Sequence, residues 1–149
     1  NDPQFHWLTK KGWQASGDSL APPKRINRVT YFHDTTLVDL SQQLVAKTKG
    51  DFVPERRLRA ERRAGWKRRH RWTESHVPDG LLYIGEDKPV AIELEISLKE
   101  RSRLREIILD YALSSSVREI WYFVTNDTVR RAIERATKND DFLVFEFRL

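Results

Sequence analysis

The segment Val90-Ala91-Ile92-Glu93-Leu94-Glu95-Ile96-Ser97 constrains the chain most. Its alternation has the two-residue period of a β-strand, with Val90, Ile92, Leu94 and Ile96 on one face and Ala91, Glu93, Glu95 and Ser97 on the other. A shorter apolar run, Leu81 to Gly85, precedes it, and the turn-prone Glu86-Asp87-Lys88-Pro89 lies between, so the two runs predict a β-hairpin. Two carboxylates then share one face, about 6–7 Å apart at Cβ. They repel each other unless they converge on a cation or face solvent, and both readings stand at this point. With the turn at Glu86 to Pro89, antiparallel pairing sets Pro78-Asp79-Gly80 opposite Glu95 to Ser97 and adds a third carboxylate to the group.

The other elements follow from periodicity. Leu37, Leu40, Leu44 and Val45 fall on helical spacing after Asp34, an expected N-cap, and Gly50 stops the run, which predicts a helix over residues 35–48. Phe52 to Arg59 reads as a strand that Pro54 confines to a sheet edge. Leu104, Ile107, Ile108, Tyr111 and Ala112 mark one face of a helix from Glu100 to Ser114. Ile120 to Val124 is an aromatic and β-branched run suited to a buried strand, its aromatics read as core. Asn126 or Asp127 opens a helix through Ala136, and Phe142 to Phe147 makes a last strand. The order αβββαβαβ predicts an α/β domain whose mixed β-sheet is flanked by helices, the fourth strand joining in parallel. Before this core, His6 to Thr9 reads as a short strand leading to a helical stub, and Ser16 to Arg28 as a linker.

At 149 residues, 39% apolar and 33% charged, the chain suits one globular core, with no apolar run long enough to span a membrane. The lack of cysteine excludes a disulfide scaffold and a thiolate zinc site, and a cytoplasmic location is the expectation. The lack of methionine leads us to expect that Asn1 is not the start of the gene product. The net charge is +5, yet Glu55 to Arg71 alone carries nine Lys/Arg against two Glu, so the remainder is mildly acidic. Arg56, Arg57, Arg59, Arg62, Arg63, Lys67, Arg68, Arg69 and Arg71 therefore form a local patch suited to a polyanion such as DNA. Trp66 and Trp72 within it add flat surfaces for unstacked bases, or fold back as anchors.

Asp79, Glu93 and Glu95 at a sheet end suit a hard cation, Mg²⁺ or Mn²⁺, in phosphodiester hydrolysis. The competing reading leaves both glutamates on a solvent-facing side and Asp79-Gly80 as a plain turn. His76 is a candidate base or ligand, or the maker of a local hydrogen bond. Asp34 and Asp39 are further acidic residues on the first helix, of which capping explains Asp34 without any chemistry, and Glu55 either adds a fourth carboxylate or pairs with a neighbouring arginine.

Pro78-Asp79 followed by Glu93-x-Glu95, between a preceding and a following helix, resembles the PD-(D/E)xK superfamily of restriction-endonuclease-like folds. A narrower set is similar to bacterial replication-relaxation proteins over most of residues 29–137: His33-Asp34, Glu55-Arg56, His76-Val77-Pro78-Asp79-Gly80, Ala91-Ile92-Glu93-Leu94-Glu95 and Trp121-Tyr122-Phe123-Val124. The resemblance implies an αβββαβ core with an extra helix and strand over residues 29–149. Residues 1–28 are then a linker and the end of a winged helix, Trp7 to Gly12 resembling its wing. It further implies DNA processing in plasmid or mobile-element replication or transfer. Asp79, Glu93 and Glu95 would hold Mg²⁺ or Mn²⁺, and DNA, a second copy or proteins of a replication complex would be partners. The superfamily's lysine two positions after Glu93 is here Glu95, so Lys99, at the start of the next helix, is the candidate replacement. Three functions follow: a metal-dependent DNA endonuclease, a non-catalytic DNA-binding accessory, and a protein-interaction domain whose arginines meet an acidic partner.

Overall fold

The computed structural model describes residues 9–15, 20, 27–63 and 76–137, and the backbone of residues 144–148. Helix α1 spans Lys10–Ala15 and α2 Tyr31–Thr48, followed by strand β1, Asp51–Pro54, and helix α3, Glu55–Arg63. Strands β2, Gly80–Tyr83, and β3, Val90–Glu95, precede helix α4, Arg101–Leu113. Strand β4, Glu119–Val124, helix α5, Asp127–Thr137, and strand β5, Val144–Arg148, complete the order.

The five strands form one mixed sheet in the order β1-β2-β3-β4-β5. Strand β2 runs antiparallel to both its neighbours, β1 and β3, and β4 and β5 join in parallel, as the crossover helix predicts. Helices cover both faces. Leu40 and Leu44 of α2 pack on Leu82, Val90, Ile92, Leu94 and Phe123. On the other face, Leu58 of α3, the apolar stripe of α4 and Val129 and Ile133 of α5 pack on Leu81, Ala91 and Tyr122. The result is a three-layer α/β/α arrangement with β3 buried along its whole length. Among the described residues no helix is long and apolar enough to cross a membrane.

The hairpin forms as predicted, but its register differs. Gly80 pairs with Ile92 and Leu82 with Val90, so Asp79 lies beside Glu93-Leu94 rather than beside Glu95 to Ser97. The turn is longer than expected because Ile84 leaves the ladder and Gly85 turns with φ +69°, a conformation that favours glycine. Gly80 is required for another reason: a Cβ there would collide with the Phe52 ring on β1.

Two boundaries and one element depart from the sequence reading. The strand expected over Phe52 to Arg59 ends at Pro54, and the chain turns directly into α3. Proline stops the ladder, while Glu55 in the first turn and Arg62 and Arg63 in the last suit the helix dipole. Helix α2 begins at Tyr31, not at residue 35, so Asp34 lies in its first turn and is not the N-cap; it accepts a hydrogen bond from Thr30 Oγ1 at 2.9 Å. Helix α3 is the element missing from the expected order. The stub α1 is present, whereas the strand before it, most of the linker and Trp66, Lys67, Arg68, Arg69, Arg71 and Trp72 lie outside the described residues.

Candidate acidic site

The end of β3 gathers the polar side chains of the core. Glu93 and Glu95 point beneath α4 and are 1% and 4% exposed, so the solvent-facing reading of these two carboxylates is incorrect. Each carboxylate has its own donors. Glu93 Oε1 accepts from His76 Nε2 at 2.6 Å and from the Tyr111 hydroxyl, and the His76 and Tyr111 rings meet edge to face at 5.4 Å. Asp79 Oδ2 accepts from the Leu94 backbone N–H at 2.8 Å, which ties the loop before β2 to the end of β3. Glu95 Oε1 is ion-paired with Lys99 Nζ, which lies in the segment before α4 rather than at the start of that helix.

His33, on the first turn of α2, completes the group from the opposite layer. Its Nε2 lies 3.3 Å from Asp79 Oδ2 and 3.1 Å from the Leu94 carbonyl oxygen, while Nδ1 lies 3.5 Å from Asp34 Oδ1. A ring surrounded by acceptors keeps both protons. The hydrogen bond to Asp79, reinforced by its charge, raises the His33 pKa from 6.5 to about 9 against the opposing effect of burial.

The carboxylates sense one another. Burial raises the Glu95 pKa, Lys99 opposes this, and the charges of Glu93 and Asp79 add to the rise. Burial and then Glu93 raise Tyr111 well above the usual tyrosine range, so it remains a neutral donor. Tyr122 of β4, paired in register with Glu93, is also raised by burial and then by Glu93, Glu95 and Asp79.

The donor chemistry, hard carboxylate oxygens, suits a divalent cation. One oxygen of each carboxylate, Asp79 Oδ1, Glu93 Oε2 and Glu95 Oε2, has no hydrogen bond among the described residues. As they stand, no three His, Asp or Glu side chains among the described residues are set around a common point that would hold a metal. Each carboxylate rests instead against a partner from its own chain: His33, His76 with Tyr111, or Lys99.

The other candidates divide. Asp39 is exposed on α2, and Glu55 pairs with Arg59 Nε at 2.7 Å on α3, the plainer of its two readings. Helix α3 starts at the site: Glu55 N–H donates to the Asp79 carbonyl oxygen at 2.8 Å. From there α3 buries only Leu58 and leaves Arg56, Arg57, Arg59, Arg62 and Arg63 exposed. The sequence reading did not find His33 as an Asp79 partner, nor Tyr111 and Tyr122, which it assigned to packing alone. Both tyrosines do pack in the core. Only their hydroxyls distinguish them from phenylalanine, and the two-residue register with Glu93 was the signal available for Tyr122.

Comparison of the chain with protein-family models, characterised proteins and solved structures finds no match.

Proposed function

We propose that the chain is a DNA-processing domain of the PD-(D/E)xK nuclease-like type, similar to bacterial replication-relaxation proteins, that hydrolyses phosphodiesters with Mg²⁺ or Mn²⁺. The observation that carries this reading is the meeting of two features: the buried carboxylates Glu93 and Glu95 with the partly buried Asp79, each with one unengaged oxygen, and a helix of exposed arginines whose first residue, Glu55, is hydrogen-bonded to Asp79. Asp79, Glu93 and Glu95 would hold the cation, which when bound supplies a Lewis acid for the phosphoryl oxygen and lowers the pKa of a water. The remaining work belongs to the chain. The Leu94 N–H fixes Asp79, and His76 with Tyr111 fixes Glu93, as partners of ligating carboxylates do. Lys99 keeps a positive charge beside the pocket, and the arginines of α3 bind backbone phosphates through counterion release.

A second reading, a non-catalytic DNA-holding accessory, is favoured by one observation: the group is already neutralised internally, with Lys99 on Glu95 and a protonated His33 on Asp79. Supercoiled plasmid incubated with Mn²⁺ or with EDTA, beside Glu93→Gln and Glu95→Gln, separates the two. Nicking that needs Mn²⁺ and both glutamates supports the nuclease. Intact plasmid, with salt-dependent binding unaffected by either substitution, supports the accessory.

A further inference from the structure

Strands β1, β3 and β4 run in the same direction through the sheet, because β2 is antiparallel to both of its neighbours and β4 is parallel to β3. Helices α3, α4 and α5 follow these three strands and pack on the same face, so all three start at one edge of the sheet, the edge that holds Glu95 and Asp79. Helical side chains lean toward the helix N-terminus, which here means toward this edge. The arginines near the helix starts fall into two groups. Arg59, Arg103 and Arg130 are engaged by Glu55, Glu106 and Asp127. Arg56, Arg101, Arg105 and Arg131 are exposed and have no hydrogen bond or ion pair among the described residues. The acids in the first turns, Glu55 and Asp127, are thereby engaged, while Glu100 lies exposed before α4. On the opposite face of the sheet, α2 carries no arginine.

The four uncommitted guanidinium groups are therefore spread along one edge rather than gathered on one helix. Three strand intervals separate β1 from β4, roughly 14 Å at the usual strand spacing, which matches about four nucleotide steps of one strand of B-DNA. A groove for unstacked bases would need flat rings beside the cations, but α3 and α5 have no aromatic residue and Tyr111 of α4 is buried. A duplex encloses its bases and presents its phosphates outward, so cations alone suit it. We infer that duplex DNA crosses the molecule at this edge, with Arg56, Arg101, Arg105 and Arg131 each on a backbone phosphate. The strand then passes the acidic site instead of running along α3 alone. These contacts position the duplex and read no bases. The inference rests on the DNA reading of the chain and needs no bound metal.

The test is a salt series by fluorescence anisotropy with a short labelled DNA duplex in EDTA. It compares the parent chain with Arg101→Ala/Arg105→Ala, with Arg131→Ala, and with a charge-matched control, Lys47→Ala/Lys88→Ala, whose side chains are exposed at the opposite edge. The steepness of log binding constant against log salt is expected to fall by about 1.8 in the arginine pair and by about 0.9 in Arg131→Ala, and to stay unchanged in the control. Arg101→Lys/Arg105→Lys keeps both charges and is expected to keep the parent slope, which separates loss of charge from loss of structure. A lysine pair as weakened as the alanine pair overturns the inference. An Arg101→Ala/Arg105→Ala slope equal to the parent's also overturns it and leaves the DNA reading standing, with α3 as the contact. Equal falls in the arginine pair and the control overturn it as well, since they show attraction to net charge rather than contact at this edge. A parent chain that does not bind the duplex at low salt overturns the DNA reading itself, and leaves the arginines to an acidic protein partner.

Discussion

His33 joins two layers of the molecule through a charge, so its contribution depends on pH in a defined direction. Its folded pKa, about 9, lies above the unfolded value of 6.5. The stability it adds is therefore full below about pH 6.5 and is lost as the pH rises through 9. Urea titrations across that window should show falling stability in the parent chain and a flatter profile in His33→Gln, with Asp79 and Asp34 as the groups that face the ring. Tyr111 makes a different prediction. Replacing it with phenylalanine removes a donor from a carboxylate that is 1% exposed, at a cost of about 1.5–3 kcal/mol. A denaturation midpoint that does not move would show that His76 alone suffices to hold Glu93. Neither role was legible in the sequence: an aromatic on an apolar stripe satisfies the core pattern completely, and the pairing of His33 with Asp79 joins residues 46 positions apart on different elements.

At the scale of elements, the two ends of the legibility range are β3 and α3. Strand β3 announced itself because a strand buried on both faces reads as a near-continuous apolar run, and the two glutamates interrupted only one face. Helix α3 did not, because it rests on the core through Leu58 alone, and one apolar residue has no period to read. The hairpin shows an intermediate case: its strands were evident, but their offset was not, since the β2–β3 ladder closes at Leu82 and Val90 rather than next to the Glu86 to Pro89 turn. The same thin attachment makes α3 a surface for charge rather than for packing. Arg56 and Arg63 are exposed at its two ends, so replacing both with alanine should leave folding nearly unchanged. The slope of log binding constant against log salt for duplex DNA should fall by up to about 1.8 if each contacts one phosphate. A salt series by fluorescence anisotropy measures this directly, and an unchanged slope would place the DNA elsewhere.

For the whole molecule, the arrangement of charge matters more than its sum. The chain carries +5, yet its buried charged groups among the described residues, Glu93 and Glu95, are carboxylates held by donors of the chain, while arginines line an outer helix. A group neutralised from within does not depend on metal to fold, unlike a site whose metal supplies the folding energy, so the chain should still melt cooperatively in EDTA. Lys99 is the member of that balance most open to test. It opposes the burial that raises the Glu95 pKa above 4.5, so Lys99→Gln leaves a buried carboxylate with less compensation and raises that pKa further. A folded pKa above the unfolded one means that the native state binds the extra proton, so the penalty is full above the folded value and vanishes below about 4.5. Lys99→Gln should therefore cost about 1–3 kcal/mol at pH 7.5, less at pH 5, and recover on addition of Mn²⁺ if the cation takes the place of the lost ammonium. Denaturant titrations at the two pH values measure the first part and a Mn²⁺ series the second. A loss equal at both pH values would assign Lys99 to packing of its stem and not to the charge balance of the site.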